Sequence, residues 1–155
     1  MQDDYADQKY IADFCNRMRS AQDCHYASAR LFSGVDSALV WASIVCTALV
    51  STSLFTNLAQ ESPSAALVAG ILTAAASIML AVQRGLKYSD RSEKHRRAGS
   101  AYGALYEDLA QGRVKTTNTE LDEIQKRKSA LGQEAPLIPG FVRRHVLSQT
   151  ARQST

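Results

Sequence analysis

Charged side chains are missing from two long stretches in the middle of this 155-residue chain. None occurs at positions 37–60 or 62–83, and a single acidic residue, Glu61, separates the two stretches. An apolar run of about 20 residues is long enough to cross a bilayer as a helix. A soluble hairpin of two buried helices is the alternative, but the rest of the chain has few apolar segments to cover them. We therefore expect two membrane spans.

Motifs of catalysis and metal binding are missing as well. The chain has no glycine-rich phosphate loop, no HExxH and no GxSxG. Its three cysteines, Cys15, Cys24 and Cys46, lack metal-type spacing, and the adjacent pair Cys24–His25 offers too few ligands for a metal. We expect buried thiols, no enzyme activity, no cofactor or metal, and no nucleic-acid partner.

The two uncharged stretches have the pattern of a transmembrane hairpin. In residues 38–55, large apolar side chains occur all round the helix rather than on one stripe, which suits lipid. Ser62 suits a helix N-cap and Pro63 the first helical position. The turn is short, so spans at 36–58 and 63–83 are antiparallel neighbours. The predicted fold class is an all-α membrane protein, a two-helix transmembrane hairpin with extended cytoplasmic helices.

Lys and Arg residues are distributed unevenly around the spans. Four precede the first span, six follow the second within residues 84–97, and the turn has none. Because Lys and Arg are enriched in short cytoplasmic flanks, we expect both termini to be cytoplasmic. Residues 1–36 are charged and contain no cleavable apolar core, so we expect no signal peptide.

Both flanks carry apolar stripes at helical spacing, which predicts helices that continue from the membrane into the cytoplasm. The first stripe contains Ile11, Cys15, Met18, His25, Ala29 and Phe32. The second contains Tyr88, Ser92, His95, Tyr102, Leu105, Tyr106 and Leu109. We expect the two stripes to pack against each other.

The chain beyond the second stripe is predicted to form shorter helices. Gly112 is expected to end the preceding helix, and a Thr117–Glu120 capping box starts a helix that ends at Gly132. Pro136 and Pro139 then break helicity before an amphipathic segment at 141–150. The predicted organisation is an N-terminal cytoplasmic helix at 1–35, the hairpin at 36–83, and C-terminal cytoplasmic helices with a tail at 84–155.

Two histidines are expected to meet between the flanking helices. His25 lies nearly as far before Asp36 as His95 lies after Gln83, so an antiparallel hairpin brings them to similar heights. One interpretation is a buried, hydrogen-bonded pair that only packs. The other is a pH-sensitive seam, in which protonation of both near pH 6 loosens the cytoplasmic helices.

Polar and small side chains inside the spans form distinct faces. One face of the first span carries Asp36, Ser43, Thr47 and Ser51, and one face of the second carries Thr73 and Ser77. These hydroxyls either bond back to their own helix or line a pore in an oligomer. Asp36 is expected either to cap the helix or to form a cation-selecting ring at the pore mouth. The second span also offers a ridge of small residues for helix packing: Ala66, Gly70 and Ala74.

The basic residues behind the second span are expected to contact ligands of negative charge. The residues concerned are Arg84, Lys87, Arg91, Arg96 and Arg97. We expect them to contact the anionic headgroups of the bilayer. Docking of an anionic nucleotide is the alternative.

Residues 10–148 resemble the SLATT domain family. The resemblance lies in "RLFSGVDSALVWASIV", in "EKHRRAGSAYGALYEDL" after the second span, and in "LGQEAPLIPGF". The positions that carry its pattern include His95, Tyr102, Leu105, Pro136 and Pro139.

SLATT proteins are two-span membrane effectors linked to bacterial anti-phage systems, often systems with cyclic-nucleotide synthases or nucleotide sensors. The resemblance implies a pore-forming effector of the bacterial inner membrane that acts in abortive infection. It would homo-oligomerise when a cyclic nucleotide or a sensor protein triggers it. The alternative is a membrane-anchored receptor or adaptor that binds a cytoplasmic partner without forming a pore.

Overall fold

The computed structural model describes residues 2–52, 62–111 and 118–153, with side chains at 10–52, 62–111 and 120–149. Five helices lie in these ranges, namely α1 (Gln2–Ser51), α2 (Pro63–Leu86), α3 (Tyr88–Ala110), α4 (Asn118–Glu134) and α5 (Gly140–Gln153). The described residues contain no strand, and the predicted all-α fold class is confirmed. The predicted end of the first span at 58, the stop at Gly112 and the cap at Thr117 lie outside the described residues.

Helix α2 begins where its sequence predicts. Ser62 has extended backbone angles, with φ −132° and ψ 122°, and Pro63 occupies the first turn. The Ser62 carbonyl accepts hydrogen bonds from the N–H groups of Ala65 and Ala66, each at 3.1 Å. The predicted N-cap position and N-terminal proline are therefore confirmed, but the Ser62 side chain makes no capping hydrogen bond.

A single residue, Lys87, separates α2 from α3. Its φ of 47° and ψ of 50° are left-handed, and its N–H donates to the Gln83 carbonyl at 3.1 Å. A left-handed conformation costs a residue with a side chain about 1–2 kcal/mol. The break therefore falls at a strained lysine and not at Gly85, which could adopt the same angles at little cost.

The chain divides into two units. The hairpin unit comprises Phe32–Asp90, and the terminal unit comprises Met1–Leu31 together with Arg91–Thr155.

Within the hairpin unit, α2 packs antiparallel to the second half of α1. Ser43 and Ala76 are buried, and the rings of Phe32 and Tyr88 stack with centroids 6.2 Å apart. In each of the two long apolar helical stretches, only 6% of the most apolar 18-residue window is buried. Helices that form the core of a soluble protein are mostly buried, so these exposed apolar surfaces fit a transmembrane hairpin and not the soluble alternative.

Within the terminal unit, α1 and α3 pack along their apolar stripes and α4 covers them. A buried cluster contains Phe14, Met18, Tyr102, Leu105 and Ile124. The Ser92 hydroxyl of α3 donates to the Ala29 carbonyl of α1 at 2.9 Å. The predicted packing of the two stripes is confirmed, although Phe14, which the predicted stripe omits, is more deeply buried than its neighbours Ile11 and Cys15.

Two glycines let α1 and α3 approach closely. A Cβ atom at Gly99 would lie 3.3 Å from the Tyr26 ring, and one at Gly103 would lie 2.6 Å from the Gln22 amide nitrogen. Small residues four apart on one helix face permit such an approach. The close helix contact of this protein therefore involves "GSAYG" in the terminal unit.

Helix α5 lies over a second buried cluster of the terminal unit. Cys24 of α1 packs against Val142 and Val146 of α5, with Leu31 and Ile138 at its edge. The predicted end of α4 at Gly132 is wrong, because α4 continues to Glu134. The helix ends there because Pro136 disfavours helical angles at the residue before it.

Candidate functional site

A hydrogen bond joins the two spans at one end of the hairpin unit. The Gln83 amide donates to Asp36 Oδ1 at 3.1 Å, and both side chains are half-buried. Helix α1 runs unbroken through Asp36, so the expectation that Asp36 caps a helix is wrong. The Asp36 carboxylate therefore lies at the end of the hairpin where the first span begins, and it accepts this bond through Oδ1.

The hydroxyl groups of the spans bond to their own helices. Ser43 donates to the Leu39 carbonyl at 2.6 Å and Thr47 to the Ser43 carbonyl at 2.8 Å. Thr73 and Ser77 donate in the same way, each at 2.9 Å, to carbonyls four residues earlier. This is the back-bonding that the packing interpretation expects. A hydroxyl that donates its proton still has lone pairs, so back-bonding leaves these oxygens able to accept hydrogen bonds from water.

Burial divides the same hydroxyls into two groups. Ser43 is 4% exposed and faces the interior of the hairpin. Thr47, Ser51, Thr73 and Ser77 are exposed. Only the exposed group could line a water path between copies of the hairpin without rearrangement of the hairpin itself.

The predicted ridge of small residues on α2 is not used inside the hairpin. Ala66, Gly70 and Ala74 are all exposed, and a Cβ atom at Gly70 would have no neighbour within 4 Å. Within the hairpin, α2 instead buries Ala76. The ridge is thus a free surface on which a second helix could pack closely.

The basic residues behind the second span differ in their partners. Arg96 and Arg97 both bind the carboxylate of Glu93, Arg97 Nε at 3.0 Å from Oε1. The hydrogen bond from Arg97, with the charge of Arg96, lowers the pKa of Glu93. Among the described side chains, Arg84, Lys87 and Arg91 form no ion pair and are exposed. Three of the five predicted headgroup contacts therefore present unneutralised charge.

The two histidines meet inside the terminal unit, as the sequence predicts. His25 Nδ1 and His95 Nδ1 are 3.0 Å apart, and the two side chains are 3% and 2% exposed. One Nδ1 must carry a proton and the other must accept it, so the contact needs at least one neutral ring. The Tyr102 ring stacks on His25 with centroids 5.5 Å apart and an interplanar angle of 14°.

The buried position of the pair changes its titration. Burial, followed by the neighbouring His95, lowers the pKa of His25 from 6.5 to about 4. Burial also lowers the pKa of His95. Because burial disfavours the protonated form of both rings, the structure favours the buried, hydrogen-bonded pair, and the pH-sensitive seam stays a prediction.

The remaining motif positions hold the terminal unit together. Leu105 lies in the buried cluster, and Tyr102 Oη lies 3.7 Å from the position of a Cβ atom on Gly132 of α4. Pro136 lines a cleft of about 400 Å³, and the Pro139 carbonyl accepts the first hydrogen bond of α5 from the Arg143 N–H at 3.1 Å. These contacts account for the motif as packing and as a helix boundary.

The three cysteines form neither a disulfide nor a group of metal ligands among the described residues. All three thiols are free; Cys24 is buried, whereas Cys15 and Cys46 are half-buried. Burial raises the pKa of Cys24, which disfavours its thiolate. In the described part of the chain, no group of three or more His, Cys, Asp or Glu residues could hold a metal ion.

Two polar residues of the units have positions that are not predicted from sequence. The contact of Gln83 with Asp36 is the first, although an amide in the last turn of an apolar helix has few partners other than a polar group on the neighbouring span. Arg143, which follows the proline break, was not assigned a role. Its position beside α1 depends on how α5 folds back, and nothing in its local sequence specifies that.

Comparison with known families identifies one match. Residues 8–137 match the model described as "SMODS and SLOG-associating 2TM effector domain family 4". The matched range contains both spans, α3 and α4, and it ends before Pro139 and α5. Neither the curated proteins nor the solved structures give a match.

Proposed function

Because this chain belongs to the family of SMODS and SLOG-associating 2TM effector domains, the SLATT family, we propose that it is a pore-forming effector of bacterial defence. It is a membrane protein with two spans, and its family is linked to defence systems. In this proposal it assembles into homo-oligomers in the inner membrane during phage infection and permeabilises that membrane, which ends the infection by killing or arresting the cell.

The observation that carries the proposal is the outer surface of the hairpin unit. One two-helix hairpin cannot enclose a water path, so a pore requires several copies. The hairpin leaves exposed four of the five hydroxyl-bearing residues predicted to line a pore, and it leaves the ridge at Ala66, Gly70 and Ala74 free. In lipid, small residues favour close helix association and polar groups favour contact with water or with one another. Self-association would satisfy both preferences.

A trigger is needed because an open pore harms the host cell. A ligand shifts an equilibrium between closed and open states only when it binds one of them more tightly. We propose a cyclic nucleotide or a sensor protein in this role, and no bound metal or cofactor and no catalytic step.

Orientation follows from the distribution of Lys and Arg, and we propose that both termini are cytoplasmic. A membrane-impermeant thiol reagent applied from the periplasm should label a cysteine introduced at Gln60. It should not label a cysteine at Tyr5 or Glu120, all in a background without the three native cysteines. Labelling at either flank would reverse the topology.

The pore is tested by measuring whether a thiol reagent that reacts with an introduced cysteine blocks ion flux. The chain is reconstituted at high density in liposomes, where mass action favours oligomers, and a charged thiol reagent is added. We expect flux through Thr47→Cys to fall several-fold, because the reagent would place charge in the water path. Val45→Cys is the matched control, since Val45 is 53% exposed and lies on the opposite side of the same helix. Both variants carry Cys46→Ala.

Two outcomes would count against the pore. Equal block at both positions would place the hydroxyl face outside the water path. No flux at any protein density would favour the membrane-anchored receptor or adaptor. That second function has its own support in the terminal unit, where Leu137 is 96% exposed and Phe141 is 60% exposed, as expected of residues that dock a partner.

A further inference from the structure

A cleft of about 600 Å³ lies in the terminal unit between α1 and α5. Arg17 of α1 and Arg143 of α5 both line it, together with Asn16 and Ser20. Pockets for small molecules have volumes of about 300–1,000 Å³ and combine a few convergent polar groups with apolar walls. The apolar wall here is supplied by Cys24, Ile138 and Leu147.

The two arginines of the cleft are unpaired. Among the residues whose side chains are described, neither guanidinium forms an ion pair or a side-chain hydrogen bond. Asp13 lines the same cleft one helical turn from Arg17, a spacing at which ion pairs are common, and still does not pair with it. Two free guanidinium groups with the hydroxyl of Ser20 and the amide of Asn16 form a donor-rich wall.

The cleft lining also contains a buried thiol that lies within electrostatic range of Arg143. Cys24, which lines the cleft, is 4% exposed. Burial raises the pKa of its thiol, the charge of Arg143 lowers it, and the charge of Asp23 raises it. An anion bound in the cleft would meet the guanidinium groups of Arg17 and Arg143, which both line it.

We propose that this cleft binds a ligand that carries a phosphate group on an apolar or planar body. The guanidinium fork matches phosphate oxygens with two parallel hydrogen bonds, and such charge-assisted bonds are stronger than neutral ones. Ser20 and Asn16 donate to the remaining oxygens, and the body of the ligand packs on Ile138 and Leu147. Two sources supply this chemistry, a soluble nucleotide and the headgroup of a phospholipid.

The site is distinct from the sites already described. It uses none of the basic residues behind the second span, and Arg143 and Leu147 lie beyond the region that matches the family. Binding at the cleft does not depend on pore formation. The idea that the bound ligand triggers the pore rests on the proposed function. A binding measurement tests the cleft by itself, so its result does not depend on whether the protein forms a pore.

The test uses a fluorescent reporter in the full chain. Leu147→Trp places a tryptophan at the wall of the cleft, and Trp41→Phe removes the native one from the span. The protein is placed in nanodiscs of zwitterionic lipid and titrated with AMP, whose base quenches tryptophan on contact. In a second arm, without AMP, the nanodiscs contain brominated phosphatidylglycerol, which quenches only tryptophans that touch lipid.

We expect saturable quenching in one of the two arms, and the arm identifies the source of the phosphate. Arg17→Gln and Arg143→Gln should each weaken binding about tenfold, the loss expected for one charge-assisted contact. Arg144→Gln is the matched control, because Arg144 is the neighbour of Arg143 on α5 and does not line the cleft. Asp13→Asn should strengthen binding, since Asp13 is the only acidic residue among the described residues that line the cleft, and a merely misfolded variant would not bind more tightly.

Absence of quenching in both arms would overturn the proposal. The proposal would also fail if Arg17→Gln and Arg143→Gln left the quenching unchanged. It would fail as well if Arg144→Gln reduced the quenching as much as Arg143→Gln, because binding would then reflect surface charge in general.

Discussion

Acidification from pH 7 to pH 4 is expected to lower the free energy of unfolding of the terminal unit by about 3 kcal/mol through His25 alone. The folded state holds the pKa of His25 at about 4, whereas the unfolded chain has the ordinary value of 6.5. Protons therefore bind the unfolded chain more tightly. The stabilisation is complete above pH 6.5 and is lost as the pH falls from 6.5 towards 4.

The physical cause is the geometry of the pair. A proton added to His25 creates a charge in a side chain that is only 3% exposed. Once both rings are protonated, two donors and two positive charges face each other across 3.0 Å. The hydrogen bond is then lost at the same time as the charge is buried, and both changes favour unfolding.

Thermal unfolding followed by circular dichroism at several pH values measures this loss. Because carboxylates also titrate near pH 4, the quantity to compare is the pH dependence of the parent protein against that of variants. His25→Gln should be less stable at pH 7 and lose less stability on acidification. His145→Gln is the control, since His145 is exposed, and its pH dependence should match that of the parent. Equal pH dependence in all three proteins would show that His25 does not titrate in this range.

Truncation of Met18 is expected to cost the terminal unit about 2–5 kcal/mol. Met18 is 1% exposed and is the largest fully buried side chain in the described part of the chain. It lies in the cluster formed by α1, α3 and α4, so Met18→Ala leaves a cavity that three helices would have to close.

Leu137→Ala is the matched control for this substitution. It also truncates a large apolar side chain of the terminal unit, but Leu137 is 96% exposed, and its loss should change the unfolding free energy by less than about 0.5 kcal/mol. Denaturant titration of both variants in detergent gives the two values. If the two substitutions cost the same, Met18 is not part of a packed core.

The elements of this fold that the sequence predicts are those set by local chemistry. Two uncharged stretches of membrane length, a Ser–Pro start at Ser62 and helical stripes in both flanks specify the hairpin and its extensions. The approach of His25 and His95 is also predictable, because it requires only the antiparallel turn and a rise of about 1.5 Å per residue.

The elements that the sequence does not predict depend on contacts between helices. Gly132 looks like a stop signal, but glycine is tolerated within a helix, and Pro136 supplies the stronger constraint. Asp36 has the residue type of a cap, yet the residues before it are helical as well, so α1 continues and Asp36 contacts Gln83 instead. The presence of Arg143 and Arg17 in one cleft depends on the path of α5, which long-range packing sets.

The pore-lining residues, the packing ridge and the headgroup contacts stay predictions. The structure adds a constraint to each of them. Among the pore-lining candidates, Ser43 is buried inside the hairpin. The packing ridge at Gly70 has no neighbour within 4 Å, and Glu93 neutralises part of the charge of the basic residues behind the second span.

The close contact of α1 and α3 has a consequence for how this protein diverges. The space at Gly103 is filled by the Gln22 side chain, and the space at Gly99 by the Tyr26 ring. A larger residue at 103 requires a shorter or re-oriented side chain at 22, and a larger residue at 99 requires a smaller ring or none at 26. In related chains these positions should therefore change together in pairs, with volume gained on one helix matched by volume lost on the other.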